Sequence, residues 1–250
     1  MDFMVVIPAR FGATRLPGKP LLDIGGKPML QHVYERACRS QARAVVIATD
    51  DDRIRCAAEG FGAQVCMTSA AHRSGTDRIE EVARQLGLAS DACVVNVQGD
   101  EPLLPAAAID QVAANLVGCS DAGISTLCEP ITRQEELDSP HAVKVVFDKQ
   151  GFALYFSRAA IPHGCSVQAG NAYRHIGIYG YRVSTLTRFV TWPPALLEVT
   201  EKLEQLRALV NGVRIHVAVT SHPIPAGVDT EEDLAAVRAY VAGMTGSQNP

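Results

Sequence analysis

"VVIPARFGATRLPGKPL" (Val5–Leu21) opens with an apolar run that stops at Pro8 and then gathers Arg10, Arg15 and Lys19 with no acid among them. An apolar run with no polar face reads as a strand buried on both sides, the kind found in parallel sheets. The segments that follow keep that pattern. Met29–Arg43 reads as a helix, with Leu30, Val33, Tyr34 and Ala37 at helical spacing, and "AVVIAT" (Ala44–Thr49) as a second buried strand. Helices over Asp51–Glu59, Thr76–Leu86 and Pro105–Leu116 alternate with strands over Gln64–Met67 and Ala92–Val97. Strand and helix in alternation predict an α/β fold, a doubly wound and mainly parallel sheet. In such folds ligands collect beyond the carboxyl ends of the strands. There the sequence places "PARFGATRLPGK", "TDDD" and "QGDEP".

The pattern changes after Asp121. Strands predicted over Gly123–Cys128, Ala142–Asp148, Phe152–Ser157 and Tyr173–Arg182 have short connections, with "DKQG" (148–151) as a hairpin turn. A helix over Glu201–Val210, a strand over Val213–Val219 and a helix over Thr230–Val241 follow, the last opened by a Thr230/Asp233 capping box. The expected organisation is one domain over 1–243. Residues 1–120 form its parallel α/β half, 121–243 form a mixed, partly antiparallel lobe, and 244–250 form a flexible tail.

The chain has 250 residues and a net charge of −4, which argues against a nucleic-acid binder. A local cationic cluster in a mildly acidic chain still suits a small anionic substrate. No signal peptide or membrane-length apolar run is visible, and the seven scattered cysteines include no CxxC pair. Reduced, mostly buried thiols in a cytoplasmic protein are the expectation.

The opening loop is not a Walker A motif. Five residues separate Gly12 from Gly18, and Pro20 stands where the Mg²⁺-binding hydroxyl belongs. GxGxxG is absent as well, which removes support for a nicotinamide dehydrogenase. Arg10, Arg15 and Lys19 at the mouth of a parallel sheet can pair with phosphate oxygens or form a solvated basic loop. Asp100 in "QGDEP" can hold Mg²⁺ or serve as a turn residue, with Glu101 the weaker candidate. Asp229 reads first as helix-capping chemistry, and so do Asp51 and Asp52. Ser74 fits a helix cap or a nucleoside contact. Arg158 beside apolar "LYF" marks an anionic ligand or a paired charge.

The order of "IPARFGATRLPGKPL", "ATDDDRI", "SGTDR", "VVNVQGDEP", "AVKVV", "ALYFSRAAIP", "RHIGIYGYR", "LEQLR" and "GVDTEEDL" resembles the CMP-Kdo synthetases, the 3-deoxy-manno-octulosonate cytidylyltransferases, from Val5 to about Leu234. The resemblance implies a Rossmann-like nucleotidyltransferase fold. It implies transfer of CMP from CTP to the anomeric hydroxyl of 3-deoxy-D-manno-octulosonate (Kdo), with release of pyrophosphate, for lipopolysaccharide synthesis. It places Pro8, Ala9, Arg10, Arg15, Lys19, Ser74 and Asp100 around CTP, with Arg10, Lys19, Asp100 and Asp229 as the catalytic set. It puts Mg²⁺ on Asp100 and Asp229, and Gln98, Arg158, His175, Tyr179, Glu204 and Gln205 around the acid sugar. It also implies a homodimer joined through the second lobe, although "HGCSVQAGNAY" (163–173) is shorter than the usual family segment. Alternatives are a cytidylyltransferase for an amino-substituted Kdo or a nonulosonic acid, and a non-catalytic nucleotide-binding module.

Overall fold

The computed structural model describes residues 2–12, 16–72 and 74–246, without the side chains of 244–246. Arg15 and residues 247–250 of the expected tail lie outside the described residues. In chain order the strands and helices are β1 (Phe3–Ala9), β2 (Asp23–Ile24), β3 (Lys27–Pro28), α1 (Met29–Ala37), β4 (Ala44–Thr49), α2 (Asp52–Gly60), β5 (Gln64–Met67), α3 (Gly75–Gln85), β6 (Cys93–Asn96) and α4 (Ala106–Gly118). Then come β7 (Ile124–Pro130), α5 (Gln134–Asp138), β8 (Lys144–Phe147), β9 (Ala153–Ser157), β10 (Tyr173–Arg182), α6 (Val183–Phe189), α7 (Leu196–Glu201), α8 (Gln205–Val210), β11 (Ile215–Val219) and α9 (Glu231–Gly246). They fall into two compact units, one of Asp2–Gly87, Asn96–Asp110 and Ile224–Pro250, the other built mainly of Leu88–Val95 and Gln111–Pro223.

In the first unit β1 pairs in parallel with β4, and β4 in parallel with β5. Parallel neighbours need crossover connections, and α1 lies between β1 and β4, α2 between β4 and β5, with α3 following β5. Each helix buries one stripe: Leu30, Val33 and Ala37 on α1, Ile54 and Ala58 on α2, Ile79 and Val82 on α3. Burial of Val5, Val6 and Ile7 explains the run without a polar face. The helix expected to reach Arg43 stops at Ala37 because its apolar stripe gives way to Ser40 and Gln41. There the Ser40 hydroxyl donates to the Ala37 carbonyl at 2.6 Å, an alternative to helical pairing. After α3 the chain returns beside β1, where Val97 N–H donates to Val6 O. α9 closes the unit by packing Leu234 and Val237 against Leu16, Ile24 and Met29.

The second unit is mixed, as the short connections predict. β7 pairs antiparallel with β10 and parallel with β11, while β8 pairs antiparallel with β9 and β10. The "DKQG" turn forms. Asp148 Oδ1 accepts from the Gln150 and Phe152 N–H groups, and Gly151 takes the positive φ of 82° that the turn requires. The helix expected from Glu201 is instead two short ones. Lys202, at φ 55°, ends α7 in the left-handed region, and α8 begins only at Gln205.

All seven cysteines are free thiols, but only Cys66, Cys93 and Cys128 are buried, while Cys38 and Cys56 are exposed. Burial pushes the Cys93 and Cys128 thiols up to about 12, so both are protonated and unreactive at neutral pH. Among the described residues, no helix is long and apolar enough to cross a membrane.

Candidate active site

The loop after β1 is set by Gly18. Its φ of 68° turns the chain, its N–H donates to Phe11 O, and a Cβ there would stand 3.1 Å from the Phe11 ring. The turn delivers Lys19 with its side chain largely buried. The ammonium lies 2.7 Å from Asp100 Oδ2 and 3.0 Å from Asp229 Oδ1. Burial alone would lower the lysine's pKa, but the charges and hydrogen bonds of Asp100 and Asp229 outweigh it, and the net direction is up. Lys19 is therefore a cation throughout the neutral range. Its contribution to stability is present below the unfolded value of ~10.5 and fades as pH rises through the higher folded one.

Backbone contacts bring the two carboxylates together from distant sequence. Asp100 O accepts the Val228 N–H at 2.9 Å, and Gly227 packs tightly there, since a Cβ would lie 3.2 Å from the same oxygen. The predicted capping box forms: Thr230 Oγ1 accepts from Asp233 N–H, and Asp233 Oδ2 accepts from Thr230 N–H. Asp233 also takes the Asp229 N–H, so the backbone of Asp229 serves the cap while its carboxylate serves Lys19. Gly99 permits a second close approach, since a Cβ on it would meet Pro8 O at 3.0 Å.

The result is a cavity of about 370 Å³. Pro8, Ala9, Arg10, Lys19, Gln98, Asp100 and Asp229, all expected from the sequence, line it together. Ser74 stands beside the lining residue Gly75 and caps α3 in a reciprocal pair with Asp77. Among the described residues no group of three or more His, Cys, Asp or Glu side chains converges as a metal site. The motifs "TDDD" and "SGTDR" also have structural work. Asp50 pairs at 3.0 Å with the fully buried Arg78, which also donates to the Thr68 hydroxyl, and Asp51 caps α2. Sequence reading passed over Arg78, whose only signal was a charge on the apolar stripe of α3.

In the second unit His175 is buried in an aromatic group, 4.9 Å edge-on from Phe156 and 5.4 Å from Tyr179 between ring centroids. Its Nε2 lies 2.9 Å from the Thr126 hydroxyl. Burial, helped by the Arg174 charge, depresses its pKa to about 3, so it is a neutral ring. Burial chiefly, then the Tyr181 and Glu204 charges, push the Tyr179 phenol well up. His175, Tyr179 and Glu204 thus share one neighbourhood, and Gln205 is buried at the start of α8. Arg158 directly follows β9. Its Nε donates to Glu201 O, Nη1 to Pro140 O and Nη2 to Lys202 O.

Because His175 stays neutral when folded and protonates near 6.5 when unfolded, the fold loses stability as pH falls below that value. At ~1.4 kcal/mol per unit, about 2–3 kcal/mol should go between pH ~6.5 and ~4.5. Urea denaturation across that range measures it, and His175→Gln should flatten the slope. An unchanged slope in that variant would assign the acid sensitivity to other groups.

A family model described as Cytidylyltransferase matches residues 4–215. The chain is 60% identical to the 3-deoxy-manno-octulosonate cytidylyltransferase of Cellvibrio japonicus, over 96% of this chain and 98% of that protein. It is 58% identical to the same-named protein of Marinobacter nauticus, over 96% and 97%. A solved CMP:2-keto-3-deoxy-manno-octonic acid synthetase complexed with CTP is 40% identical, with a TM-score of 0.91 over 98% of this chain and 100% of that one. A cytidylyltransferase structure from Leptospira borgpetersenii, 18% identical with a TM-score of 0.64 over 96% of this chain and 86% of that one, shares the fold.

Proposed function

The chain belongs to the 3-deoxy-manno-octulosonate cytidylyltransferase family, and from that premise we propose the reaction its cavity performs. It joins CMP from CTP to the anomeric hydroxyl of Kdo and supplies CMP-Kdo for lipopolysaccharide synthesis. The sugar oxygen forms a bond to the α-phosphorus, the bond to the α–β bridging oxygen breaks, pyrophosphate leaves and the hydroxyl proton is released. The observation that carries this reading is Lys19 held between Asp100 and Asp229 in a cavity that also presents Arg10. Arg10 and Lys19 supply fixed positive charge where the leaving pyrophosphate gains negative charge, and such chemistry depends mainly on positioning and electrostatics.

Mg²⁺ fits this donor set. Asp100 and Asp229 are hard oxygen donors already gathered around one cation, and Mg²⁺ takes one or two carboxylates together with phosphate oxygens and water. Held by Asp100 and Asp229, it would supply positive charge beside the α-phosphate. We assign Ser74 to the cytidine side and Gln98 to the sugar side of the cavity. Arg158, His175, Tyr179, Glu204 and Gln205 are assigned to the acid sugar. A guanidinium has five N–H groups, of which the three named above go to carbonyls, so Arg158 retains donors for a carboxylate. Arg158→Ala should raise the KM for Kdo about 10-fold with little change for CTP, equivalent to a charge-assisted hydrogen bond of ~1.5 kcal/mol. Initial-rate kinetics with each substrate varied would show it, and equal rises in both constants would make Arg158 a structural residue only.

We further propose a cytoplasmic homodimer joined through the second unit. α7 buries none of its residues, and Leu196 and Val199 are 82% and 62% exposed. Phosphorus NMR of reactions with CTP and a panel of Kdo, 8-amino-Kdo and a nonulosonic acid tests the function. CMP-Kdo as the preferred product supports the assignment, and preference for another sugar would replace Kdo with that acid.

A further inference from the structure

We infer that Lys144, buried on β8, is a positioning residue for the acid-sugar half of the reaction. Its side chain is fully buried, and its ammonium donates to three backbone carbonyls: Ser139 O at 2.8 Å, Ala142 O at 2.6 Å and Arg158 O at 2.6 Å. Three acceptors match the three N–H groups of a lysine ammonium. Among the described residues the hydrogen-bond partners of Nζ are these main-chain carbonyls, so the charge is spent on holding main chain.

What it holds gives the role. Lys144 takes the carbonyls of Ser139 and Ala142, and the Arg158 guanidinium takes the carbonyl of Pro140 between them. Two cations therefore fix one short loop, and one of them also fixes the backbone of the other. From the far side, Glu201 accepts from the Ser157 hydroxyl at 2.6 Å and from the Arg158 N–H at 2.9 Å. Arg158 in turn reaches the carbonyls of Glu201 and Lys202, two residues before Glu204. On the other edge of β8, the carbonyl of the adjacent Val143 accepts the His175 N–H at 2.7 Å. Lys144 lies at the register point where β8 meets β9 at Ser157 and β10 at Arg174. It thus stands between the strands that carry Arg158 and His175, and it is tied through Arg158 to the turn before Glu204 and Gln205. A hydrophobic residue would pack on a strand equally well, but would take the ammonium donor from the carbonyls of three half-buried residues, and such groups are costly to leave unpaired.

The inference rests on the proposed function, so wild-type turnover of CTP and Kdo is measured first. Its absence would remove the function itself. With turnover present, Lys144→Met, which keeps length and removes the donors, should raise the KM for Kdo at least about 10-fold and leave the KM for CTP within about 2-fold. Lys144→Arg should recover much of the loss by restoring donors. If Lys144→Met does not fold by circular dichroism, Lys144→Gln, with two donors for the three carbonyls, is read in the same way. A folded variant with an unchanged Kdo constant, or with CTP and Kdo constants raised equally, would overturn the positioning role while leaving the reaction intact.

Discussion

Asp100→Asn is expected to lower kcat by 10²–10³ at saturating CTP and Mg²⁺, a loss of about 3–4 kcal/mol of the kind caused by removing one preorganised electrostatic group. The side chain keeps its shape and loses its charge. The contact with Lys19 at 2.7 Å then becomes a hydrogen bond to a neutral amide, and one of the two carboxylates proposed to hold Mg²⁺ is gone. Stability should change much less, because the Asp100 side chain is 38% exposed and water can replace part of the interaction. Rates and thermal denaturation on the same preparation separate the two effects. Near-normal turnover would show that Asp100 serves the turn after β6 and not the chemistry.

Lys19→Met should cost a similar 10²–10³, read in kcat/KM for CTP, because the same ammonium has two tasks. It offsets the repulsion between Asp100 and Asp229, and in the proposed reaction it offers charge to the phosphates. Lys19→Arg should recover only part of the loss, since a planar fork does not occupy the place of a compact point charge. Steady-state rates over a range of CTP concentrations are the check. An unchanged kcat/KM in Lys19→Met would remove the lysine from the account of leaving-group stabilisation.

The parallel half of the fold was legible because its signal is local. β4 matches the apolar run Ala44–Thr49 residue for residue, and α3 begins at the Ser74 cap that its sequence advertises. Arg10 and Lys19 were legible as cavity-lining cations, since like charges gathered after a buried strand suit an anion. Helix boundaries in the second unit were not, because they depend on partners far away in sequence. Arg158 binds the carbonyls of Glu201 and Lys202, and Lys202 ends α7 where the apolar pattern alone continues. The joint role of Asp229 was hidden for the same reason. "GVDTEED" spells a helix cap, the cap forms, and only the contact of Val228 with Asp100 shows that the Asp229 carboxylate turns to Lys19. Lys144 gave no signal in the sequence, because its three partners are backbone carbonyls, which any residue supplies.

Pyrophosphate release with CTP, Mg²⁺ and Kdo, each omitted in turn, tests the central claim most directly. Release is predicted only when all three are present, in equal amount with CMP-Kdo. No release from the complete mixture, or equal release without Kdo, would contradict it.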